Sequence, residues 1–139
     1  MNKNIISDIA EMQTHYGFHE WVERNKHDKD IMEKFLKFRM QFLTEEYLET
    51  MTAYHSNDPE EVVDGLVDIV VIALGTLNLF GVDSQKAWDK VHSANMSKEV
   101  GVKESRPNEF GLPDLIKNPD TWVAPDHSDN HGLLKSVLS

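Results

Sequence analysis

The 139-residue chain has no cysteine, which excludes disulfide bonds, thiolate zinc sites and cysteine nucleophiles. Basic residues are scarce, since 14 Lys and Arg face 24 Asp and Glu and leave a net charge of -10. This deficit argues against sequence-independent binding of nucleic acid, which needs cations to neutralise phosphates. The N-terminus shows no signal-peptide pattern, and the longest apolar stretch, residues 65–81, is short for a membrane span and is interrupted by Asp68 and Asn78. We therefore expect a cytoplasmic protein without nucleic-acid or membrane partners.

Proline is concentrated near the C-terminus, where four of the five prolines lie between residues 101 and 132. Before them, apolar residues recur three and four positions apart, as in amphipathic helices. This spacing predicts helices at about 5–16, 30–55, 59–80 and 84–98, with a polar connection over residues 22–30. No stretch alternates in the way a strand would. We expect an all-α fold with two parts, a four-helix bundle over residues 1–100 and an irregular, proline-rich tail over residues 101–139. The tail would pack on this bundle or on a neighbouring subunit.

Two of the predicted helices carry acids on their apolar faces. At about 100° per residue, Glu45 and Glu49 fall on the stripe formed by the apolar residues of the second helix, and Glu46 lies at its edge. That stripe consists of Ile31, Phe35, Phe38 and Phe42. The third helix repeats the pattern, because three acids share one face with Ile72, Gly75 and Leu79. These acids are Glu61, Asp64 and Asp68.

Acids on inward faces need a counter-charge, because burying an unpaired carboxylate costs several kcal/mol and neighbouring carboxylates raise that cost. The basic side chains are too few and too scattered to supply one. A hard divalent cation fits a ligand set made only of oxygens. We therefore predict a Mg²⁺ site, with Mn²⁺ as a possible substitute, whose candidate ligands are Glu45, Glu46, Glu49, Glu61, Asp64 and Asp68. The alternative is that these acids are solvated and that Glu61 belongs to a capping box with Asp58.

The same acids form a recognisable motif. The segment EEYLE, residues 45–49, fits the pattern EExxE, and EVVD, residues 61–64, fits ExxD. A further match is NMSK, residues 95–98. In these motifs the chain resembles the MazG-like all-α nucleoside triphosphate pyrophosphohydrolases, a superfamily that includes dimeric dUTPases and phosphoribosyl-ATP pyrophosphohydrolase. The tail is similar to those of small phage-type members, and the likeness extends from about residue 15 to residue 127.

The second motif can be aligned in two ways. In the family the ExxD aspartate directly precedes a run of large apolar residues, and Asp68 fits that description better than Asp64. The ligand pair on this helix is therefore either Glu61 with Asp64 or Asp64 with Asp68, and both pairs lie on one face.

The resemblance implies the activity: metal-dependent hydrolysis of a (deoxy)nucleoside triphosphate to the monophosphate and pyrophosphate, in the cytoplasm of a bacterium or of a phage-infected host. It implies that Glu46 activates the attacking water. It also implies that Asn95 and Lys98 hold phosphate oxygens, and that the protein is a homodimer or homotetramer. The alternative for Lys98 is a lysine favoured by the helix dipole.

The sequence leaves alternatives open for the residues that contact the base of the nucleotide. An aromatic cluster follows the first helix and offers a base pocket, or else packs that helix onto the bundle. It comprises His15, Tyr16, Phe18 and Trp21. Asn78, in an apolar setting, contacts the base or sugar, or is a buried hydrogen-bonded amide. The sequence does not identify the preferred base or sugar, the number of metal ions or the biological role.

Two other functions compete with this one. The pair His27 and Asp28, with His15 and His19, suggests a phosphohydrolase of the HD type, although these histidines lie in or beside a polar connection. The acidic helices also suit a non-catalytic oligomerisation or interaction module. A metal site would be stabilised by millimolar Mg²⁺, whereas a solvated acidic face would not.

Overall fold

The structure, a computed structural model, describes residues 4–103, 105 and 109–139. These residues form six helices and a two-stranded antiparallel sheet, and the predominance of helix confirms the all-α prediction. The elements are α1 (Ile5–His15), α2 (Phe18–Asn25), α3 (Lys29–His55), α4 (Pro59–Leu79), α5 (Ser84–Met96), β1 (Glu99–Gly101), β2 (Asp114–Ile116) and α6 (Leu134–Val137).

The described residues group into two compact units. The first contains residues 1–84 and 130–139, and the second contains residues 85–129. The predicted division into a domain of residues 1–100 and a tail stays a prediction. The tail itself is not wholly irregular, because it contains β2 and α6 and begins with the last residue of β1.

The N-terminal segment contains a helix that the sequence did not predict. The side chain of Asn4 accepts a hydrogen bond from the Ser7 amide and caps α1, which ends where expected. Gly17, at φ 75°, adopts the left-handed conformation that glycine tolerates, and α2 begins at the next residue. The predicted polar connection over residues 22–30 therefore shrinks to residues 26–28. The apolar residues of α2 are too few to show a periodicity.

Helices α3 and α4 form an antiparallel hairpin whose ends agree with the prediction to within one or two residues. Asp28 caps α3 by accepting from the Ile31 amide, and Asp58 caps α4 by accepting from the Glu61 amide. Between the helices, Asn57 has a positive φ of 55°, a conformation that asparagine adopts more readily than most residues. This turn brings the acidic segment of α3 back against the acidic segment of α4.

The buried face of α3 differs from the predicted phenylalanine stripe. Phe38 is 58% exposed and Ile31 is 37% exposed. The inward positions instead follow intervals of four and three residues, and they are Met32, Leu36, Arg39, Leu43, Glu46, Thr50 and Ala53. The predicted stripe is correct only in part, because Phe35 and Phe42 are half-buried whereas Ile31 and Phe38 are exposed. As a consequence Glu46, rather than Glu45 or Glu49, is the most inward acid.

The two long helices approach each other closely at Gly65. A methyl group built on this residue would overlap the Thr50 hydroxyl, so the site accepts no side chain without a shift. The same hydroxyl donates to the Glu46 carbonyl oxygen at 2.8 Å. Gly65 thus sets the helix separation one turn away from Glu46.

The apolar core of the first unit lies at the other end of the hairpin. Phe80 and Met32 are fully buried there, together with Leu79, and Val22 and Val137 complete the cluster. The short helix α6 is tied to the chain after α4, because the Leu133 amide donates to the Phe80 carbonyl at 2.7 Å. The C-terminal residues therefore pack against the end of the hairpin that lies opposite the turn between α3 and α4.

In the second unit, β1 pairs with β2 in antiparallel register, with Val100 opposite Leu115. The indole of Trp122 donates to the Ala94 carbonyl at 2.8 Å and so holds the tail against α5. This sheet was not predicted, since each strand has only three residues and no alternation develops.

The outer face of α4 is apolar and exposed. Val63, Leu66 and Val67 are each more than half exposed, and Val70 is 42% exposed. By length and composition, α4 is the single helix in the described part of the chain that qualifies as a membrane span, but core helices of soluble proteins pass the same test. Its inner face carries Asp68, which disfavours a membrane location.

Candidate active site

Glu46 of α3 and Asp68 of α4 form the centre of the acidic site. Both side chains are half-buried, and they lie close enough across the helix interface for the charge of Asp68 to act on Glu46. Two carboxylates placed in this way repel each other when both are ionised. The meeting of these two acids follows from the antiparallel register, which also places Thr50 beside Gly65.

Burial raises the pKa of Glu46, and the negative charges of Glu49, Asp68 and Asp64 raise it further. Three acids therefore act electrostatically on one carboxyl group. Glu49 and Asp64 are themselves exposed, so they border the central pair on its solvent side. The arrangement is a concentrated negative field at the middle of the hairpin.

The two remaining candidate ligands are exposed. Glu45 lies on the solvent side of α3, and Glu61 lies in the first turn of α4. The capping-box explanation of Glu61 fails in one respect. In a capping box the Asp58 amide would donate a hydrogen bond to the Glu61 carboxylate. It donates instead to the Ala53 carbonyl at 3.0 Å. Among the described residues the Glu61 carboxylate pairs with no cation, and Asp68, not Glu61, faces Glu46.

None of these six acids forms an ion pair among the described residues, where the ion pairs involve only Glu23, Glu33 and Asp129. The described residues also contain no ready-made group of three or more His, Asp or Glu side chains that would hold a metal ion. The donor chemistry nevertheless fits a hard divalent cation, since every polar group in the cluster is a carboxylate and no protein cation balances them.

Two turns before Glu46, a buried arginine occupies the same face of α3. Arg39 is 7% exposed, and its guanidinium donates to the Thr76 hydroxyl at 3.0 Å and to the Ile72 carbonyl at 3.1 Å. Its guanidinium carbon also lies 5.9 Å from the centre of the Phe42 ring. Arg39 thus fixes α3 against α4 next to the acidic cluster.

Arg39 also borders a cavity of about 420 Å³ between α1, α2 and α3. Three of the four residues of the predicted aromatic cluster line it, namely Tyr16, Phe18 and Trp21. The fourth, His15, is exposed and makes an edge contact with the Tyr16 ring at 4.8 Å between centroids. The remaining lining residues are Gly17, Arg24, Phe35, Phe38 and Arg39.

Asn78 belongs to a hydrogen-bonded network that joins α1, α2 and α4. Its side-chain amide nitrogen donates to the side-chain oxygen of Gln13, Oε1, at 2.7 Å. The same nitrogen lies 3.3 Å from Nε2 of His19. Gln13, which is 1% exposed, in turn donates to the Gly75 carbonyl at 3.0 Å. These contacts match the alternative of a buried hydrogen-bonded amide, while a role in substrate binding stays a prediction.

The two predicted phosphate ligands lie in the second unit, at the C-terminal end of α5. Asn95 is exposed and Lys98 is half-buried, with the Lys98 amide donating to the Asn95 carbonyl at 3.3 Å. Within the described residues Lys98 has no ion-pair partner. Its ammonium group is therefore available to an anionic ligand.

The residues suggesting an HD-type enzyme have structural roles in part. Asp28 caps α3, and His19 contacts Asn78. His27 is exposed in the connection between α2 and α3. This arrangement offers no support for the HD alternative.

The sequence interpretation missed the two arginines of the cavity. Arg39 was assigned no role. The signal that would have identified it is its spacing, because it lies seven residues before Glu46 and so shares its face. Arg24 gave no signal, since its helix was not predicted.

A sequence model of the phosphoribosyl-ATP pyrophosphohydrolase family matches residues 16–95, more than half of the chain. The match includes α2, α3, α4 and most of α5, and with them both acidic motifs. Comparison with curated proteins and with solved structures gives no significant match. The family implies a hydrolase of phosphoric anhydrides with a nucleotide-like substrate. The chain therefore belongs to the phosphoribosyl-ATP pyrophosphohydrolase family, within the MazG-like all-α nucleoside triphosphate pyrophosphohydrolase superfamily.

Proposed function

We propose that the protein hydrolyses a (deoxy)nucleoside triphosphate to the monophosphate and pyrophosphate in a reaction that needs Mg²⁺, with Mn²⁺ as a substitute. The observation that carries this proposal is the Glu46–Asp68 carboxyl pair. It lies in the negative field of Glu49 and Asp64, and no protein cation balances it. The family supports the class of reaction, and the carboxylates support the metal.

Asp68, Asp64 and Glu49 are the strongest candidates for metal ligands, because they surround Glu46 from both helices. Glu45 and Glu61 are exposed on the same two helices and extend the ligand set at its rim. When bound, a divalent cation offsets the triphosphate charge and makes a nearby water more acidic. We assign the Asp64 and Asp68 pair priority over Glu61 and Asp64, since Asp68 meets Glu46 directly.

Glu46 is the proposed general base. Its raised pKa makes it a better proton acceptor than an ordinary glutamate, provided that bound cations leave it ionised. The water oxygen forms a bond to the α-phosphorus, and its proton passes to Glu46. The bond between the α-phosphorus and the bridging oxygen breaks, and pyrophosphate leaves with that oxygen. Asp68, which lies beside Glu46 across the helix interface, is the proposed metal ligand nearest to this base.

Asn95 and Lys98 are the proposed phosphate ligands. An amide donor and an ammonium group one turn apart at the end of a helix suit neighbouring phosphate oxygens. Lys98 has no carboxylate partner in the described residues. The proposed role of this pair is to hold the leaving pyrophosphate.

The exposed apolar face of α4 is the proposed contact between copies of the chain. Val63, Leu66, Val67 and Val70 lie on it at helical spacing, and exposure of so many β-branched and leucine side chains on one helix is unfavourable in water. A second copy is the expected occupant, because a two-helix hairpin that presents this face completes a four-helix bundle when paired with another. The expected assembly is a homodimer or homotetramer.

The reaction is tested by incubating the protein with each ribo- and deoxynucleoside triphosphate and Mg²⁺ or Mn²⁺, with products separated by charge. Reaction in ¹⁸O-water then locates the bond that breaks. Attack at the α-phosphorus puts the label into the monophosphate and none into pyrophosphate. Asp68→Asn is the inactive control and Glu60→Gln, an exposed acid outside the cluster, is the active one.

Label in pyrophosphate, or release of orthophosphate with a diphosphate, would contradict the proposal. Absence of turnover with every triphosphate and both metals would favour a non-catalytic interaction module. Equal activity of Asp68→Asn and Glu60→Gln would remove the carboxylate pair from the mechanism.

A further inference from the structure

The cavity bordered by Arg39 has an unusual charge for this protein. Its two charged lining residues, Arg24 and Arg39, are both cationic, although the whole chain carries a net charge of -10. Of the remaining lining residues, five are aromatic and one is Gly17. The cavity is thus an aromatic pocket whose polar groups are almost all hydrogen-bond donors.

Arg39 is a buried cation without a carboxylate partner in the described residues. Two of its N–H groups bind α4, at Thr76 and Ile72, but a guanidinium offers five such groups. Burial lowers the pKa of Arg39, which shows the cost of holding its charge away from water. A ligand acceptor in the cavity would offset that cost.

The aromatic walls suit a flat ring. Phe38 and Phe18 are 58% and 41% exposed at the cavity, where a ligand would cover them. Behind them, Trp21 packs against Phe35 with 4.7 Å between ring centroids and makes a firm wall. Flat heterocycles stack on such rings with a gain that depends little on their identity.

The distance between the cavity and the acidic cluster suits the length of a nucleotide. Arg39 and Glu46 are seven residues apart on one uninterrupted helix and share its inner face. At 1.5 Å per residue this separation is roughly 10 Å along the axis. A nucleotide with its base at Arg39 and its phosphates directed toward Glu46 would span this separation.

We infer that this cavity binds the nucleobase and that Arg39 selects bases presenting a ring carbonyl, so that the preferred substrates are nucleotides of oxo-bases rather than of bases with only amino groups. This inference rests on the proposed function for its substrate. A ring carbonyl would accept hydrogen bonds from the guanidinium N–H groups that do not bind α4. An exocyclic amino group would instead bring its own N–H donors against those of Arg39. Arg24, at the cavity rim, is a second donor.

The test uses free nucleosides, which lack phosphate and need no metal. Inosine and adenosine differ at the six position of one ring system, where inosine has a carbonyl and adenosine an amino group. Because Trp21 lines the cavity, quenching of tryptophan fluorescence reports binding, with Trp21→Phe as the signal control. Inosine is expected to bind at least about tenfold more tightly than adenosine.

Two variants test separately the contributions of the hydrogen-bond donor and of the stacking surface. Arg39→Lys keeps the charge but loses the planar fork, and it should reduce the preference for inosine at least about fivefold. Phe38→Ala should weaken both nucleosides equally and leave their ratio unchanged. Tyr54→Ala, also an exposed aromatic of α3 but outside the cavity, is the matched control and should change neither affinity. A ratio of affinities is insensitive to a partial loss of folded protein.

Equal affinities for inosine and adenosine, or a preference that Arg39→Lys does not alter, would overturn the inference. Competition of orthophosphate or pyrophosphate with inosine would also overturn it, by making the cavity a phosphate site. The proposed function is judged separately. A selective cavity in a protein that cleaves no triphosphate would refute the reaction alone, and cleavage without base preference would refute the role of Arg39 alone.

Discussion

The Glu46 and Asp68 side chains meet across the α3–α4 interface, although no positively charged side chain of the described residues pairs with either. Two ionised carboxylates in this position repel each other, and this repulsion contributes to the raised pKa of Glu46. This relationship connects the stability of the metal-free protein, its pH dependence and its affinity for cations.

The first prediction concerns pH. Because the folded pKa of Glu46 is raised above its ordinary value of 4.5, this group favours folding at low pH and loses that contribution as pH rises through the raised value. Above it, Glu46→Gln should be more stable than the wild type, and the difference should vanish near pH 4. Thermal unfolding in EDTA between pH 4 and 8 measures it. Glu60→Gln should show no comparable pH-dependent difference.

The second prediction concerns metal. Adding Mg²⁺ or Mn²⁺ at about a hundred times its dissociation constant should raise the melting temperature by roughly 5–10 °C. Asp68→Asn should abolish most of this increase, because it removes a ligand charge. Calorimetry at fixed ionic strength, with Na⁺ in the control sample, separates binding from screening. An equal response in Asp68→Asn would place the cation elsewhere.

The third prediction decides between the two alignments of the second motif. Asp68→Asn and Glu49→Gln should each reduce turnover at least a hundredfold under saturating Mg²⁺, at unchanged helix content. Glu61→Gln should reduce it much less, since Glu61 is exposed and one helical turn farther from Glu46 than Asp64 is. Steady-state kinetics with circular dichroism measures both properties. A hundredfold loss in Glu61→Gln would instead support the Glu61 and Asp64 pair.

The fourth prediction concerns the close approach of the helices. Gly65→Ala places a methyl group against the Thr50 hydroxyl and should destabilise the protein by about 1–3 kcal/mol. It should also lower activity, because separation of the helices moves Asp68 away from Glu46. Chemical unfolding gives the free energy. The double variant Thr50→Ala/Gly65→Ala should recover part of the loss, and an additive loss would mean that the two residues do not interact.

The fifth prediction concerns assembly. Val67→Glu places a charge in the middle of the exposed apolar face of α4 and should convert the oligomer to a monomer at micromolar concentration. Tyr54→Glu, an equally exposed position on α3, is the control and should leave the assembly intact. Light scattering coupled to gel filtration gives the mass. A monomeric wild type would contradict the proposed contact.

Local signals were sufficient to predict much of the hairpin. Asp28 and Asp58 are ordinary N-caps, and Pro59 follows in the first turn, so both helix starts were readable from the sequence. Helix α2 was missed because it has eight residues and begins after a glycine that also looks like a simple stop. Strands β1 and β2 depend on pairing between segments fifteen residues apart, which no local pattern records.

The site was only partly predictable for a different reason. The motifs pointed to acids that the hairpin brings near one another, but they did not show which of these acids turns inward. The large phenylalanines placed the buried face near Phe38, whereas hydrogen bonds of Arg39 and the absence of a side chain at Gly65 determine how α3 rotates. Such partner-dependent terms appear only when two helices are packed together.

The unbroken course of α3 between Arg39 and Glu46 has a consequence for how such an enzyme can change. Adding one residue to a helix lengthens it by only about 1.5 Å, but it rotates every later side chain about the helix axis by about 100°. A single insertion in this segment would swing Glu46 out of reach of Asp68 while leaving the cavity in place. The distance between the cavity and Glu46 can therefore be adjusted only in steps that return to the same face, roughly three or four residues or, more accurately, seven. Changes in the preferred base are expected to arise by exchanging side chains around the cavity, with the length of α3 held constant.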